Sequence, residues 1–237
     1  MALPINTAAQ YNLVIPSTGE RVKYRPFLVK EEKALLLAQQ SEDPITMVDT
    51  LKNIIASCVT GDYKVDNLAT CDLEYIFTQI RGKSVGETVD LLFPCDVCED
   101  EKAKVKISFD ITKIQVEKSP EHDKKIDLFG DVGVVMRYPT IQTISRLENM
   151  KADTIDDIFD IVAGCIDFIY QGDEVFYGKE QSKEDLLEFL NNLTSEQFKK
   201  IQKFFETMPR LKQEVDYNCP VCGLHHHKVL EGLQSFF

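Results

Sequence analysis

Apolar and polar residues alternate along two short stretches near the start of the chain, residues 11–15 and 21–25. Residues 16–20 between them contain proline, serine, threonine and glycine, which is typical of a turn. A period of two places one face of a strand against a core, so this pattern predicts a β-hairpin. Apolar residues recur at helical spacing in residues 48–59 and 155–166, which predicts an amphipathic helix in each stretch.

The two predicted helices also resemble each other when residues 48–59 are aligned with residues 155–166. An Asp, an Ile, an Ala and a Cys recur at identical positions, and five further positions exchange similar residues. Each half of the chain opens with a predicted strand that leads to a proline, at residues 21–26 and 132–139. Chance similarity between two amphipathic helices is the alternative, but the repeated order favours an internal duplication.

The ends of the two halves correspond as well. Thr70 and Thr194 are each predicted to be the N-cap of a helix, and a Cys-x-x-Cys motif follows each helix. The predicted helices align at an offset of 107 residues and the motifs at 124, so the second half has 17 additional residues. These residues fit the stretch 171–192, where Ser182 begins a pattern resembling a capping box.

The predicted fold class is therefore α+β, with two related halves. Each half consists of a β-hairpin, two or three helices and a strand–CxxC–strand knuckle. We expect the first half to take in residues 1–118, a polar linker to follow at residues 119–124, and the second half to span residues 125–237 with its insertion near 171–192.

The two Cys-x-x-Cys motifs carry the strongest chemical signal in the sequence, and their cysteines are Cys95, Cys98, Cys219 and Cys222. Zn²⁺ prefers four soft ligands in a tetrahedron, and each two-residue turn directs two thiolates at one point. Neither pair completes a site alone. Packing of the two halves about a pseudo-two-fold axis would bring the turns face to face. The sequence therefore predicts one structural zinc that joins the halves as a split zinc ribbon.

Other interpretations of these residues remain open. Disulfides or free core thiols are the alternatives for the four cysteines, although a reducing cytosol disfavours disulfides. One histidine of the run at residues 225–227 would give a site of three cysteines and one histidine. Cys58, Cys71 and Cys165 are predicted to be packing residues. A reactive thiol is the alternative for Cys71, because a helix N-terminus lowers the pKa of a thiol.

The pattern of candidate catalytic residues does not indicate an enzyme. Pro94 and the first cysteine motif are similar to half of a zinc deaminase signature, but that chemistry needs an upstream His-x-Glu, and no histidine precedes His122. His122 itself is expected to be solvated in the linker. Four thiolates would also leave no metal position for water. Acidic pairs at predicted helix starts are assigned to the helix macrodipole; they are Asp72 and Glu74, Asp156 and Asp157, and Glu184 and Asp185.

Composition and charge limit the classes of partner. A net charge of −12, from 39 acidic and 27 basic residues, repels phosphate backbones, so nucleic acid is not an expected partner. A zinc-ribbon nucleic-acid-binding protein is kept as an alternative. No apolar run approaches the roughly 20 residues that span a bilayer. Residues 1–6 lack the basic and apolar regions of a signal peptide, so we expect a cytosolic location.

Four contiguous stretches carry a family resemblance: LVIPSTG at residues 13–19, YRPFLVKEEK at 24–33, RGKSVGE at 81–87 and LEGLQSFF at 230–237. They resemble the baseplate hub and hub-assembly proteins of T-even-type contractile-tailed bacteriophages, and the resemblance covers nearly the whole chain. It implies a non-catalytic structural or assembly component of a tail baseplate hub. The implied partners are other baseplate and hub proteins, with self-association as a further option.

The same resemblance implies a location in the virion tail, or in the host cytoplasm during assembly. Because the family also includes an assembly factor, the alternative is a chaperone for the hub or tape-measure protein that is absent from the mature virion. Among the matching stretches, residues 24–27 are expected to pack in the core, and residues 81–87 to form a turn. The last apolar side chains, Leu233, Phe236 and Phe237, must dock on the chain's own core or on a neighbour.

Overall fold

The computed structural model describes residues 8–41, 43–61, 64–98, 101–140, 143 and 155–236. Its helices are α1 Val29–Ser41, α2 Pro44–Cys58, α3 Thr70–Ser84, α4 Ile155–Gly164, α5 Lys183–Asn191 and α6 Ser195–Thr207. Its strands are β1 Tyr11–Val14, β2 Arg21–Tyr24, β3 Val59–Thr60, β4 Thr88–Phe93, β5 Val105–Asp110, β6 Gln115–Glu117, β7 Lys125–Phe129, β8 Val132–Met136, β9 Ile166–Gln171, β10 Glu174–Tyr177, β11 Arg210–Asn218 and β12 His225–Glu231.

The strands form four small antiparallel sheets, with the orders β1-β2-β3, β10-β9-β8-β7, β12-β11-β6 and β4-β5. The mixed α+β class that the sequence predicted is confirmed. None of the helices in the described ranges is long and apolar enough to cross a membrane.

The predicted N-terminal hairpin is confirmed, with Tyr11 opposite Tyr24 and Val14 opposite Arg21. Gly19 has a φ of +73°, a left-handed conformation that glycine adopts without steric cost, at the end of the turn. The turn is held to α3, because the Ser17 N–H donates a 2.9 Å hydrogen bond to Asp72 Oδ1. Asp72 is therefore a buried hydrogen-bond acceptor, a role that its place in the first helical turn did not reveal.

The order of elements is similar in the two parts of the chain. In each part, a two-stranded hairpin precedes a helix, and a strand that follows this helix pairs with the hairpin. The Arg25 N–H donates to the Cys58 carbonyl at 2.9 Å, and the Arg137 N–H donates to the Cys165 carbonyl at 2.8 Å. Cys58 is the last residue of α2 and Cys165 directly follows the last residue of α4, and the sequence alignment pairs these two cysteines. An origin by duplication stays a prediction, and so do the domain boundaries.

The stretch 171–192, which the sequence analysis proposes as an insertion, contains β10 and α5. Ser182 is the N-cap of α5, since its side chain accepts a hydrogen bond from the Asp185 N–H. Thr194 is the N-cap of α6, as predicted, and it also forms a complete capping box with Gln197. The predicted cap at Thr70 is wrong: α3 begins at Thr70 after Ala69, which provides no side-chain cap. The Thr70 N–H instead donates to the Pro139 carbonyl at 3.1 Å, so a residue far away in sequence satisfies the first N–H of this helix.

Two main hydrophobic cores stabilise the chain. The first packs β1, β2, α2 and α3 together, and the second packs β7, β8, α4, α5 and α6. Tyr24 and Phe27 are buried in the first core, which confirms the packing expected for residues 24–27. The Phe27 N–H also donates a 2.9 Å hydrogen bond to Ser84 Oγ at the end of α3.

Residues 81–87 are not the turn that the sequence predicted, because α3 continues to Ser84. Gly82 is a buried helical residue, and a Cβ at this position would lie 2.6 Å from Thr112 Cγ2. The segment after β5 packs so closely against α3 that a side chain at position 82 would force Thr112 to move, which explains why this residue is glycine. Only Gly86 serves the turn into β4, with a φ of +150°.

The C-terminal segment docks on the first half. Leu233 packs against the first core, and its N–H donates a 3.3 Å hydrogen bond to Glu74 Oε1. Burial raises the pKa of the Glu74 carboxyl. Docking on the chain's own core is thus found for Leu233, while Phe237 and the side chain of Phe236 lie outside the described residues.

His122 in the predicted linker is buried, so the expectation of a solvated side chain is wrong. Its ring stacks on Tyr138 and packs against Phe204, with ring centroids 5.5 and 5.0 Å away. Thr207 Oγ1 lies 3.0 Å from His122 Nδ1 and donates its own proton to the Lys203 carbonyl. The hydroxyl therefore accepts from Nδ1–H, which both the neutral and the protonated ring carry. His122 Nε2 is buried without a hydrogen-bond partner, so a proton added there would be left unsatisfied, and the neutral ring is favoured. The polar sequence of the linker gave no sign of these distant aromatic partners.

Acidification is expected to weaken the fold through His122. Burial, with smaller contributions from Lys118 and Lys124, lowers the pKa of His122 below its usual value of 6.5. The contribution of the neutral ring to stability is therefore complete above about pH 6.5 and is lost as the pH falls through the folded-state pKa. Urea unfolding at about pH 7 and about pH 5 should show a larger loss of unfolding free energy for the native chain than for His122→Gln. Equal losses in the two proteins would contradict this assignment.

Candidate metal centre

The two Cys-x-x-Cys motifs lie at the ends of two β-hairpins. In the first hairpin, Phe93 of β4 pairs with Val105 of β5, and Cys95 and Cys98 lie in the connection. In the second, Asn218 of β11 pairs with His225 of β12. The strands predicted on both sides of each motif are therefore confirmed.

The turn of the second motif is closed by its own backbone. The Cys219 N–H donates to the Leu224 carbonyl at 2.8 Å, and the Gly223 N–H donates to the Cys219 carbonyl at 3.0 Å. Gly223 has a φ of +73°, so glycine permits the tight exit that the sequence suggested.

The two hairpins pack against each other through apolar side chains. Phe93 of the first hairpin forms a buried cluster with Val215 and Tyr217 of the second, and the Phe93 and Tyr217 ring centroids are 5.4 Å apart. The Tyr217 hydroxyl donates a 2.8 Å hydrogen bond to the Pro94 carbonyl, immediately before the first motif. This packing places the ends of the two hairpins side by side.

The four cysteines converge at this point. The Sγ atoms of Cys95, Cys98, Cys219 and Cys222 all lie within 4.8 Å of one another. The Sγ atoms of Cys95 and Cys222 are 3.8 Å apart, and those of Cys98 and Cys219 are 4.0 Å apart. A tetrahedral zinc site with Zn–S bonds of about 2.3 Å has sulfur–sulfur separations of about 3.8 Å. The arrangement is therefore one that can hold a metal ion.

Backbone N–H groups point at the first sulfur of each motif. The N–H groups of Val97 and Cys98 donate to Cys95 Sγ at 3.5 and 3.4 Å, and the Val221 N–H donates to Cys219 Sγ at 3.4 Å. Hydrogen bonds to sulfur stabilise the thiolate, which is the form that binds metal. The backbone of Cys222 and then that of Val221 accordingly lower the pKa of the Cys219 thiol to about 7.

The same closeness makes it difficult to ionise all four thiols without a cation. The neighbouring thiol of Cys222, together with burial, raises the pKa of Cys98 to about 12. A bound divalent cation removes this repulsion and favours deprotonation of each ligand. The chemistry of the four sulfur atoms thus fits a metal ion better than it fits free thiols.

His226 is the histidine of the run that reaches this centre. It is buried, its Nε2 lies 3.3 Å from Cys95 Sγ, and its ring stacks on Tyr217. Asp96 Oδ2 lies 3.5 Å from Nδ1 on the other side of the ring. His226 therefore borders the sulfur cluster, where an Nε2–H would donate to Cys95. The sequence alone does not distinguish His226 from His225 and His227. Alternation along β12 directs only the His226 ring towards the cysteines.

His225 and His227 project to the opposite face of β12. Their ring nitrogens lie 3.5 and 3.0 Å from Asp216 Oδ1 on the neighbouring strand, and both side chains are exposed. They are therefore directed away from the four cysteines.

The three remaining cysteines are packing residues, as predicted. Burial raises the pKa of Cys58 to about 11, and that of Cys71 and Cys165 to about 12. The alternative of a reactive thiol at Cys71 is wrong, because loss of hydration outweighs the effect of the helix N-terminus.

Comparison with protein-family models gives a match over nearly the whole chain. The sequence model of a family described as "T4 bacteriophage base plate protein" matches residues 8–237. No curated protein and no solved structure matches the chain. The family-level resemblance predicted from four short stretches is thus confirmed over nearly the whole chain.

Alkylation should separate the two groups of cysteines. After chelator treatment, we expect iodoacetamide at about neutral pH to modify Cys222 first, because it is the exposed thiol of the cluster and the reagent reaches it most easily. Cys58, Cys71 and Cys165 should stay unmodified until the chain unfolds. Mass spectrometry of the digested protein measures each site, and early modification of Cys71 would refute the assignment of a buried, protonated thiol.

Proposed function

We propose that this chain, which belongs to the T4 bacteriophage base plate protein family, is a non-catalytic structural or assembly component of a tail baseplate hub. We further propose that one structural zinc clamps its two halves. The observation that carries this proposal is the convergence of Cys95 and Cys98 with Cys219 and Cys222. Between the two pairs lie 120 residues, so the cluster joins distant parts of the chain.

The ligand set supports zinc in a structural role. Soft thiolates select zinc over magnesium or calcium, and a tetrahedral four-sulfur set is typical of structural zinc. When bound, the ion would supply a rigid link between the hairpins. Four protein ligands leave no open position for a water nucleophile, which supports a non-catalytic protein.

A clamp at this position would complete a set of contacts between the halves. Strand β6 of the first half pairs with β11, with Val116 opposite Leu211. The Pro139 carbonyl accepts from Thr70, and Glu74 accepts from Leu233. The four cysteines lie at the ends of the hairpins, beyond these contacts. A metal ion there would fix the region that strand pairing does not reach.

Metal content tests the clamp. We expect one zinc per untagged chain by inductively coupled plasma mass spectrometry, and none in the double variant Cys219→Ser/Cys222→Ser. Thermal unfolding should show a large loss of stability in that variant, because structural zinc contributes on the order of 10 kcal/mol to folding. The zinc should also be removed by a chelator, with a similar loss.

A matched control is the double variant Cys58→Ala/Cys165→Ala, which also removes two cysteines but from the two hydrophobic cores. It should keep one zinc, although cavities in the cores lower its melting temperature. Zinc retained by Cys219→Ser/Cys222→Ser, or absent from the native chain, would exclude a shared four-cysteine zinc site.

Quantitative proteomics of purified virions tests the place in the particle. A resident hub component should be present in fixed proportion to the other baseplate proteins, which are the partners that family membership implies. A chain found in infected cells but missing from virions would contradict residence in the particle. That result would favour the alternative of an assembly chaperone for the hub or tape-measure protein.

A further inference from the structure

Strand β10 is one outer edge of the sheet β10-β9-β8-β7. On its inner side it pairs with β9, from Glu174 opposite Gln171 to Tyr177 opposite Phe168. No strand within the described ranges pairs with its outer side. An unpaired edge of this kind offers backbone donors and acceptors to another extended chain.

The direction of these backbone groups follows from the hairpin. A two-residue turn at residues 172–173 makes Gln171 and Glu174 the hydrogen-bonded pair that closes it. Because hydrogen bonding alternates along antiparallel strands, the N–H and C=O groups of Val175 and Tyr177 point outward. The Tyr177 carbonyl accepts one long bond of 3.5 Å from Gln181 Nε2. Both outward groups of Val175 and the Tyr177 N–H are therefore in position to pair with an added strand.

Apolar side chains cover both faces of this edge. Val175, Phe176 and Tyr177 are consecutive and are 45%, 39% and 47% exposed. Successive strand residues project to opposite faces, so apolar area faces solvent on each side. None of the three belongs to the described hydrophobic cores. Within the fold, the Tyr177 ring contacts Phe168 on β9, with ring centroids 6.0 Å apart, but all three side chains of β10 keep a large exposed area.

The opposite edge of the same sheet, strand β7, is protected against pairing with another chain, whereas β10 is not. Strand β7 carries Lys125 and Asp127, and its register shifts between Asp127 and Phe129. Charges and bulges at an edge discourage pairing with another chain. Within β10 the only charged residue is Glu174, at its first position.

Strand β10 also lies in the additional stretch of the second half, residues 171–192. The corresponding sheet of the first half, β1-β2-β3, ends at β3, which has only two residues. A short edge strand is another protection against pairing. The second half thus extends its sheet by one longer strand and leaves that strand exposed.

Negative charge is concentrated at one end of β10. Asp173 and Glu174 lie at the turn, and the Gly172 N–H donates a 3.0 Å hydrogen bond to the Asp131 carbonyl, which places a third acidic residue there. At the other end, Lys179 Nζ lies 5.5 Å from the centroid of the Tyr177 ring. A segment that binds this edge would be complementary if it carried a lysine or arginine at the acidic end.

We propose that β10 docks an extended segment of another baseplate protein, which adds a fifth strand to the sheet. Apolar side chains of that segment cover Val175, Phe176 and Tyr177, and a basic side chain lies beside Asp131, Asp173 and Glu174. The proposal rests on the proposed baseplate function and does not depend on zinc. A second copy of this chain fits less well, because its β10 carries Glu174 and no basic residue, so it lacks the charge that complements this edge.

Binding of individually purified baseplate proteins of the same phage tests the proposal. We expect one of them to bind the native chain, with affinity reduced at least tenfold by Val175→Lys. Glu174→Lys should weaken binding at about 50 mM salt and have little effect at about 500 mM, where exposed charges are screened. Hydrogen exchange in the complex should show new protection at the amides of Val175 and Tyr177.

Val14→Lys is the matched control, since Val14 is 49% exposed on β1, an edge strand of another sheet. It should bind like the native chain, and circular dichroism verifies that all variants are folded. Unchanged affinity in both β10 variants, or binding by none of the baseplate proteins, would overturn the proposal. Self-association that Val175→Lys abolishes would also overturn it, by assigning the edge to a second copy. Absence from virions with intact β10 binding would instead contradict only residence in the particle.

Discussion

The junction of the two CxxC hairpins has to bring four sulfur atoms together from two distant parts of one chain. Closing a loop of 120 residues costs conformational entropy, and crowding four thiols makes their ionisation unfavourable. Apolar packing of Phe93 against Val215 and Tyr217 offsets part of this cost and positions the hairpins. The backbone donors at Cys95 and Cys219 then prepare the sulfur atoms for a cation. Strand pairing, ring packing and the proposed zinc therefore act on the same junction.

Helix α3 is the second centre of organisation, because all four stretches that resemble the baseplate family meet around it. The Ser17 N–H of the first stretch donates a hydrogen bond to Asp72, and the Phe27 N–H of the second donates one to Ser84. The third stretch forms the end of α3 itself, and Leu233 of the fourth bonds to Glu74. The resemblance thus corresponds to one connected region of packing and hydrogen bonds, although its members are far apart in sequence.

Local patterns predicted the elements that local chemistry determines. Alternation and turn residues identified the first hairpin, and ligand spacing together with the repeat identified the four cysteines. The errors arose where a residue far away in sequence decides the outcome. The Thr70 N–H donates to the Pro139 carbonyl, and Thr112 leaves no room for a side chain at Gly82. The rings of Tyr138 and Phe204 cover His122. His226 was one of three candidates until pairing of β11 with β12 fixed which ring faces inward.

The separation of the two cysteine pairs also determines when the junction can form. During synthesis, 120 residues are added between Cys98 and Cys219. At roughly 5–20 residues per second, this interval lasts on the order of 10 seconds. Throughout it, Cys95 and Cys98 offer a metal ion only two of the four sulfur ligands. Capture of a metal ion by all four sulfur atoms would therefore be a late event in biogenesis, because the first cysteine pair has to wait until the second has been synthesised.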